Sequence, residues 1–196
     1  MNICIFGDSI VWGAYDPING GYVNFLRNYF EEKNIEIEIY NLGISGDTST
    51  KLLERLESEA KKREADLIII AIGINDTQYI HSIKNQRTLI QEFKNNLLNL
   101  FQTAKKITNK IIFIGITNVD ETKSNPLSWN SDKSYTNENV KKYNNVIRDF
   151  CQRNKLKFIS LEGIITKEDL FDGLHPNTKG HKKIFETIKK EISNFL

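Results

Sequence analysis

Two short runs carry the residue types of nucleophilic acyl chemistry, and they lie near opposite ends of the chain. The first, Phe6-Gly7-Asp8-Ser9, follows directly on an apolar run. A serine at a sharp strand-to-helix turn is exposed at the carboxyl edge of a sheet with the positive end of the next helix beside it, a good position for a nucleophile. The second, Asp172-Gly173-Leu174-His175-Pro176, sets a carboxylate three residues before an imidazole. Across one tight turn that spacing brings the carboxylate to Nδ1 and leaves Nε2 free to face a hydroxyl. Gly173 gives the turn its backbone freedom, and Pro176 suits the first positions of a following helix. Each run alone also has a plain structural meaning: Gly-Asp-Ser is an ordinary turn and cap, and the second run an ordinary surface turn with a solvated histidine.

Two more turns give a reason to connect these ends. Asn41-Leu42-Gly43-Ile44-Ser45-Gly46-Asp47-Thr48 offers Gly43, whose amide can approach a ligand closely, and Asp47, placed to cap the next helix. Gly73-Ile74-Asn75-Asp76 offers an amide side chain. A tetrahedral oxyanion needs preorganised donors, and the amides of Ser9 and Gly43 with the Asn75 side chain would supply them. Asp8, His81 and Trp129 are the residues expected to border the substrate, although a structural hydrogen-bonding role also suits Asp8, as it does Asp76. Trp12 is expected to pack near the nucleophile turn.

These turns need elements to position them. Apolar, β-branched runs at Ile3–Phe6, Ile35–Tyr40, Leu67–Ile72, Ile111–Ile116 and Lys157–Ile159 alternate with amphipathic segments, which predicts βαβ units and a mostly parallel five-stranded sheet covered by helices on both faces. Helical spacing is legible in Phe25, Leu26, Tyr29 and Phe30; in Leu52, Leu53 and Leu56; in Leu89, Phe93, Leu97, Leu100 and Ala104; in Val140, Tyr143, Ile147 and Phe150; and in Ile184, Ile188, Ile192 and Phe195. The stretch from Asn118 to Thr136 is polar and aperiodic, follows the fourth strand, and is expected to rim the carboxyl edge where open α/β sheets bind ligands.

Composition narrows the function classes. A chain of 196 residues, 39% apolar and 27% charged, suits one folded domain over residues 1–196. The net charge of +2 has no sustained basic block behind it, so neither nucleic acid nor an anionic membrane is an expected partner. Cys4 and Cys151 sit at apolar positions and read as reduced core thiols. There is no metal-ligand spacing, no Gly-x-Gly-x-x-Gly and no Walker pattern, so no metal and no cofactor is expected. The start enters a strand at once and no apolar run would span a membrane, so the protein is expected to be cytoplasmic, or exported if a leader has been removed.

Ser9 in Gly-Asp-Ser, Gly43 in Asn-Leu-Gly-Ile-Ser-Gly, Asn75 in Gly-Ile-Asn-Asp and His175 in Asp-Gly-Leu-His-Pro, in that order, resemble the four blocks of the SGNH, or GDSL, hydrolases. The resemblance runs from residue 3 to residue 181. It implies a flavodoxin-like three-layer α/β/α sandwich, a triad of Ser9, His175 and Asp172, and an oxyanion hole from Ser9, Gly43 and Asn75. The expected function is therefore a serine esterase acting on a small acyl ester, such as an acetylated carbohydrate or a short-chain lipid-like ester. Two alternatives stand beside it: an acyltransferase using the same acyl-enzyme, and a non-catalytic flavodoxin-like binding module.

Overall fold

The run from Ile3 to Phe6 is apolar at every position, as a strand covered on both faces requires, and it forms the centre of β1 (Asn2–Gly7). The computed structural model describes residues 1–33 and 35–192. After β1 come α1 (Ser9–Trp12), α2 (Gly21–Glu32), β2 (Glu38–Gly43), α3 (Ser49–Lys62), β3 (Leu67–Ala71), β4 (Tyr79–Ile80) and β5 (Asn85–Gln86). Then follow α4 (Ile90–Lys105), β6 (Ile111–Ile114), α5 (Glu121–Ser124), β7 (Lys133–Ser134), α6 (Asn137–Arg153), β8 (Lys157–Ile159), a 3-10 turn (Lys167–Asp169) and α7 (Thr178–Ile192).

Five strands form one parallel sheet in the order β2-β1-β3-β6-β8, with helices on both faces. The order reverses between β1 and β3, so the crevice at their carboxyl ends is the natural ligand site. The second strand runs three residues later than its apolar pattern predicts. The reason is register: β2 pairs with β1 from Asn2↔Glu38 to Gly7↔Gly43, so Ile35 to Ile37 precede the start of β1 and lie outside the ladder.

The helices bury the predicted stripes. Phe93, Leu97, Leu100 and Ala104 of α4 and Val140, Tyr143 and Ile147 of α6 are buried, whereas Leu89 sits at the N-cap of α4 and is half exposed. In α7 the stripe is Ile184, Ile188 and Ile192; Phe195, expected to extend it, lies outside the described residues. Helices α2 and α7 pack on each other through Phe25, Tyr29 and Phe185. Cys4 and Cys151 are buried and unbonded, their thiols pushed up by burial to about 11 and about 12. Among the described residues no helix is long and apolar enough to cross a membrane.

The chain ends are tied together by polar groups. The Asp16 carboxylate accepts from Thr178 Oγ1 at 2.8 Å and from Asn19 Nδ2 at 2.9 Å. The His181 ring lies between Ala14 O, 3.1 Å from Nε2, and the Tyr22 amide, which donates to Nδ1 at 3.4 Å. A carbonyl can only accept, so His181 carries its proton on Nε2. Burial lowers its pKa, consistent with that neutral form. These bonds hold the start of α7 against the loop after α1.

Gly7 ends β1 where the chain turns into α1. A Cβ there would overlap Ala71 O on β3 and the Val11 side chain on α1. Gly7→Ala is expected to destabilise the fold by about 1–3 kcal/mol, as overpacking against backbone does. Urea denaturation measures this, and an unchanged midpoint would contradict the packing described.

Candidate active site

Asp8 is the N-cap of α1, its Oδ1 accepting from Ile10 N at 2.9 Å. That cap starts the helix at Ser9 and sets the serine at the carboxyl end of β1. From the other end of the chain, Asp172 organises its own turn. Its Oδ1 accepts from Leu174 N at 3.0 Å and His175 N at 2.8 Å, while Oδ2 lies 2.8 Å from His175 Nδ1. The carboxylate thus fixes both the backbone and the ring of the histidine. His175 Nε2 then lies 2.9 Å from Ser9 Oγ. Burial opposes ionisation of Asp172, but the hydrogen bonds from His175 and Leu174 hold its carboxyl below the usual range, so it is charged at neutral pH and ready to balance an imidazolium. Pro176 lies two residues ahead of α7 rather than in its first turn; Asn177 Oδ1 accepts from Gly180 N there at 3.1 Å.

The amide of Asn75 is held by a directional chain. Gln78 Nε2 donates to the Tyr135 hydroxyl, which donates to Asn75 Oδ1 at 3.0 Å; Asn75 Nδ2 donates to Asp47 O at 3.0 Å. Among the described residues this leaves the second Nδ2 hydrogen uncommitted. Asp76, beside it, is structural: its buried carboxylate takes the Ser49 amide and, at 2.6 Å, the Ser49 hydroxyl, tying α3 to this turn. Burial raises Asp76 to about 6, with those bonds opposing.

Gly43 does not occupy the place expected of an oxyanion donor. Its amide donates to Asn41 Oδ1 at 3.0 Å, and a Cβ on it would strike the α1 backbone at Trp12 N and Asp8 O. Glycine is needed there so that β2 can pass under α1. Gly46 lies in the cleft instead, at φ +82 with open space where a Cβ would be. Its carbonyl accepts from Arg87 at 3.0 Å, and its amide has no acceptor among the described residues. The Asp47 carboxylate, expected to cap α3, pairs with Arg55 Nε at 2.8 Å, and the cap is Thr48.

A cleft of about 420 Å³ opens over Ser9 and His175, lined also by Trp12, Tyr15, Gly46, Asn75, Gln78, Arg87, Trp129, Lys133 and Tyr135. Trp129 lines the cleft. Asp8 and His81 are not. Asp8 is turned inward to cap α1 and lines a separate internal cavity of about 30 Å³. His81 binds the Ser134 hydroxyl at 2.7 Å and meets Tyr79 edge-on, serving the small antiparallel sheet β5-β4-β7. Trp12 is 58% exposed and forms cleft rim rather than packing inward. The stretch from 118 to 136 is ordered by α5 and by β7, which pairs with β4, and it buries Leu127 and Tyr135. Sequence reasoning missed Tyr135, Tyr15 and the cleft cations. Tyr15 stacks on Phe171 at 4.5 Å and tilts against the His175 ring at 5.1 Å, with φ +62; no periodicity marks a residue in that conformation.

A parallel α/β sandwich with a hydrogen-bonded Ser-His-Asp chain at its switch point is an architecture suited to acyl-ester hydrolysis. The chain belongs to the GDSL-like Lipase/Acylhydrolase family, which matches residues 5–183, and it is a carboxylic ester hydrolase of that type; this sets aside the reading as a non-catalytic binding module. It is similar to an acetylxylan esterase of Geobacillus stearothermophilus (22% identical, over 92% of this chain and 84% of that one). It is also similar to esterase TesA of Pseudomonas aeruginosa (23% identical, over 100% and 90%). The crystal structure of a lipase/acylhydrolase from Enterococcus faecalis superposes with a TM-score of 0.82 at 23% identity, covering 100% of this chain and 96% of that one.

Burial pushes Asp8 up to about 7, its bond from Ile10 N opposing. A carboxyl raised on folding binds its proton more tightly in the native state, so its contribution to stability is full below about pH 4 and is lost as pH rises through about 7. Asp8→Asn keeps the cap and cannot titrate. Wild-type unfolding free energy is expected to fall across that window by up to about 1.4 kcal/mol per pH unit more steeply than that of Asp8→Asn. Parallel pH dependences in urea titrations would show that Asp8 does not titrate there.

Proposed function

We propose that the protein hydrolyses small acyl esters through an acyl-enzyme on Ser9. His175 Nε2 takes the hydroxyl proton as Oγ attacks the acyl carbon, and Asp172 stabilises the imidazolium that results. The oxyanion is received by the amides of Ser9 and Gly46 and by Asn75 Nδ2, with Gly46 in the part first expected of Gly43. As the intermediate collapses, the alcohol leaves with the proton from His175. Water then attacks the acyl group, giving its proton to the same nitrogen, and as that intermediate collapses Nε2 returns the proton to Ser9 Oγ and the acid departs. The observation that carries this reading is the 2.9 Å contact between Ser9 Oγ and His175 Nε2, backed by the 2.8 Å contact to Asp172.

An acetylated carbohydrate or a short-chain ester suits the cleft. Its volume is that of a small ligand, and its exposed rim of Trp12, Tyr15 and Trp129 offers flat faces to a sugar ring or an apolar alcohol. The relative named an acetylxylan esterase points the same way. Because that rim is open, water reaches the acyl-enzyme, which favours hydrolysis over transfer; product analysis with a competing alcohol separates the two.

A fluorophosphonate probe is expected to label Ser9 alone, and Ser9→Ala to abolish both labelling and turnover of p-nitrophenyl acetate. Asn75→Ala is expected to lower kcat about 10²- to 10³-fold, as loss of one oxyanion donor does. Mass mapping of the label to another residue, or an Asn75→Ala variant as fast as the parent, would overturn the assignment.

A further inference from the structure

The cleft carries two cations and no carboxylate: Arg87 and Lys133 are among its lining residues, and no Asp or Glu is. Both come from the small sheet. Lys133 belongs to β7, where it pairs with Ile80; its amide donates to Asn130 O at 3.0 Å and its carbonyl accepts from Leu127 N at 2.8 Å. Arg87 directly follows β5, its amide donating to Gln78 O at 2.7 Å. The two backbones are therefore held in place by the small sheet and its flanking turns.

The nearby acids are turned to other work. Asp132 takes the Ser82 amide at 2.6 Å and hydroxyl at 2.8 Å. Glu121 takes the Asn137 amide, Asp120 binds Thr122, Asp47 pairs with Arg55 and Asp76 holds Ser49. Among the described residues neither Arg87 nor Lys133 forms a close ion pair, although the Arg87 charge is felt by the buried Asp76 carboxylate and opposes its rise. Arg87 gives one nitrogen to Gly46 O, and among the described residues the rest of its donor fork has no hydrogen-bond acceptor. Two like charges facing one half-enclosed space repel each other, and an anion placed between them relieves that repulsion while gaining charge-assisted hydrogen bonds. A neutral alcohol gains neither.

Resting on the esterase reading above, we propose that the cleft selects esters whose alcohol half carries a carboxylate, as in an O-acetylated uronic-acid residue, with Lys133 and Arg87 receiving the carboxylate. Trp12 and Trp129 on the rim give the sugar ring its apolar contact. The selectivity resides in binding, since the carboxylate is no part of the reacting ester and is held alike before and during acyl transfer.

The test compares the acetyl ester of a methyl glucuronide with that of the matching methyl glucoside on the full chain, with p-nitrophenyl acetate alongside. The glucuronide is expected to have a kcat/KM about tenfold higher, expressed in KM and shrinking as salt is raised. Lys133→Met is expected to collapse the ratio between the two sugars and Lys133→Arg to retain it; because the readout is a ratio, any general loss of folded or active enzyme cancels. Equal kcat/KM for the two sugars, a ratio indifferent to salt, or a Lys133→Met variant that keeps the parent's ratio between the two sugars would overturn the proposal. Failure of a different kind, no turnover of p-nitrophenyl acetate and no label on Ser9, would instead sink the esterase reading.

Discussion

The site depends on one contact between residues 166 apart in sequence, the hydrogen bond joining Ser9 to His175. Neither residue can make it from local structure alone. Ser9 is delivered by β1, whose position at the centre of the sheet is set by ladders to β2 and β3. His175 is delivered by a turn that precedes α7, and α7 is anchored back to the N-terminal region by Asp16 with Thr178 and by His181 with Ala14 and Tyr22. The helix packing of α2 on α7 carries the bulk of that union, and the buried polar bonds select its register.

Around this contact the protein uses carboxylates in three different ways. Asp172 is ionised and faces the imidazole; Asp8 is buried and caps the nucleophile helix; Asp76 is buried and clamps α3 to the Asn75 turn. Their chemistry follows from the balance of burial against donated bonds. Burial raises all three; at Asp172, only part-buried, the bonds from His175 and Leu174 and the charge of His175 outweigh it, whereas at the deeply buried Asp8 and Asp76 desolvation wins. The same residue type thus orients a histidine in one turn and serves architecture in the other two.

The small antiparallel sheet is what distinguishes this cleft from a bare switch-point crevice. It orders the 118 to 136 stretch, carries Tyr135 to the Asn75 amide, and brings Arg87 and Lys133 to the substrate side. Ser9 and its partners stand at the edge of the large sheet, whereas Arg87 and Lys133 come from the small sheet and its flank, so the two sets of cleft residues are carried by separate elements.

The alternation of apolar runs with amphipathic stripes was enough to give the parallel sheet and its covering helices, because strand and helix periods are local properties of a chain. The residue types and order of Ser9, Asn75, Asp172 and His175 were equally legible, since each stands in a short turn beside a strand or helix whose existence the pattern implies. What only the folded chain decided is which polar groups are left unengaged. Gly43 and Gly46 look alike in sequence, yet Asn41 takes the amide of the first while the second faces the cleft. Asp8 and His81 carry chemistry-bearing side chains, yet Ile10 N and Ser134 engage them, and Asp132, the sequence neighbour of Lys133, accepts from Ser82 instead. Availability of a donor or a charge depends on partners contributed from distant segments, and that is information a local pattern does not contain.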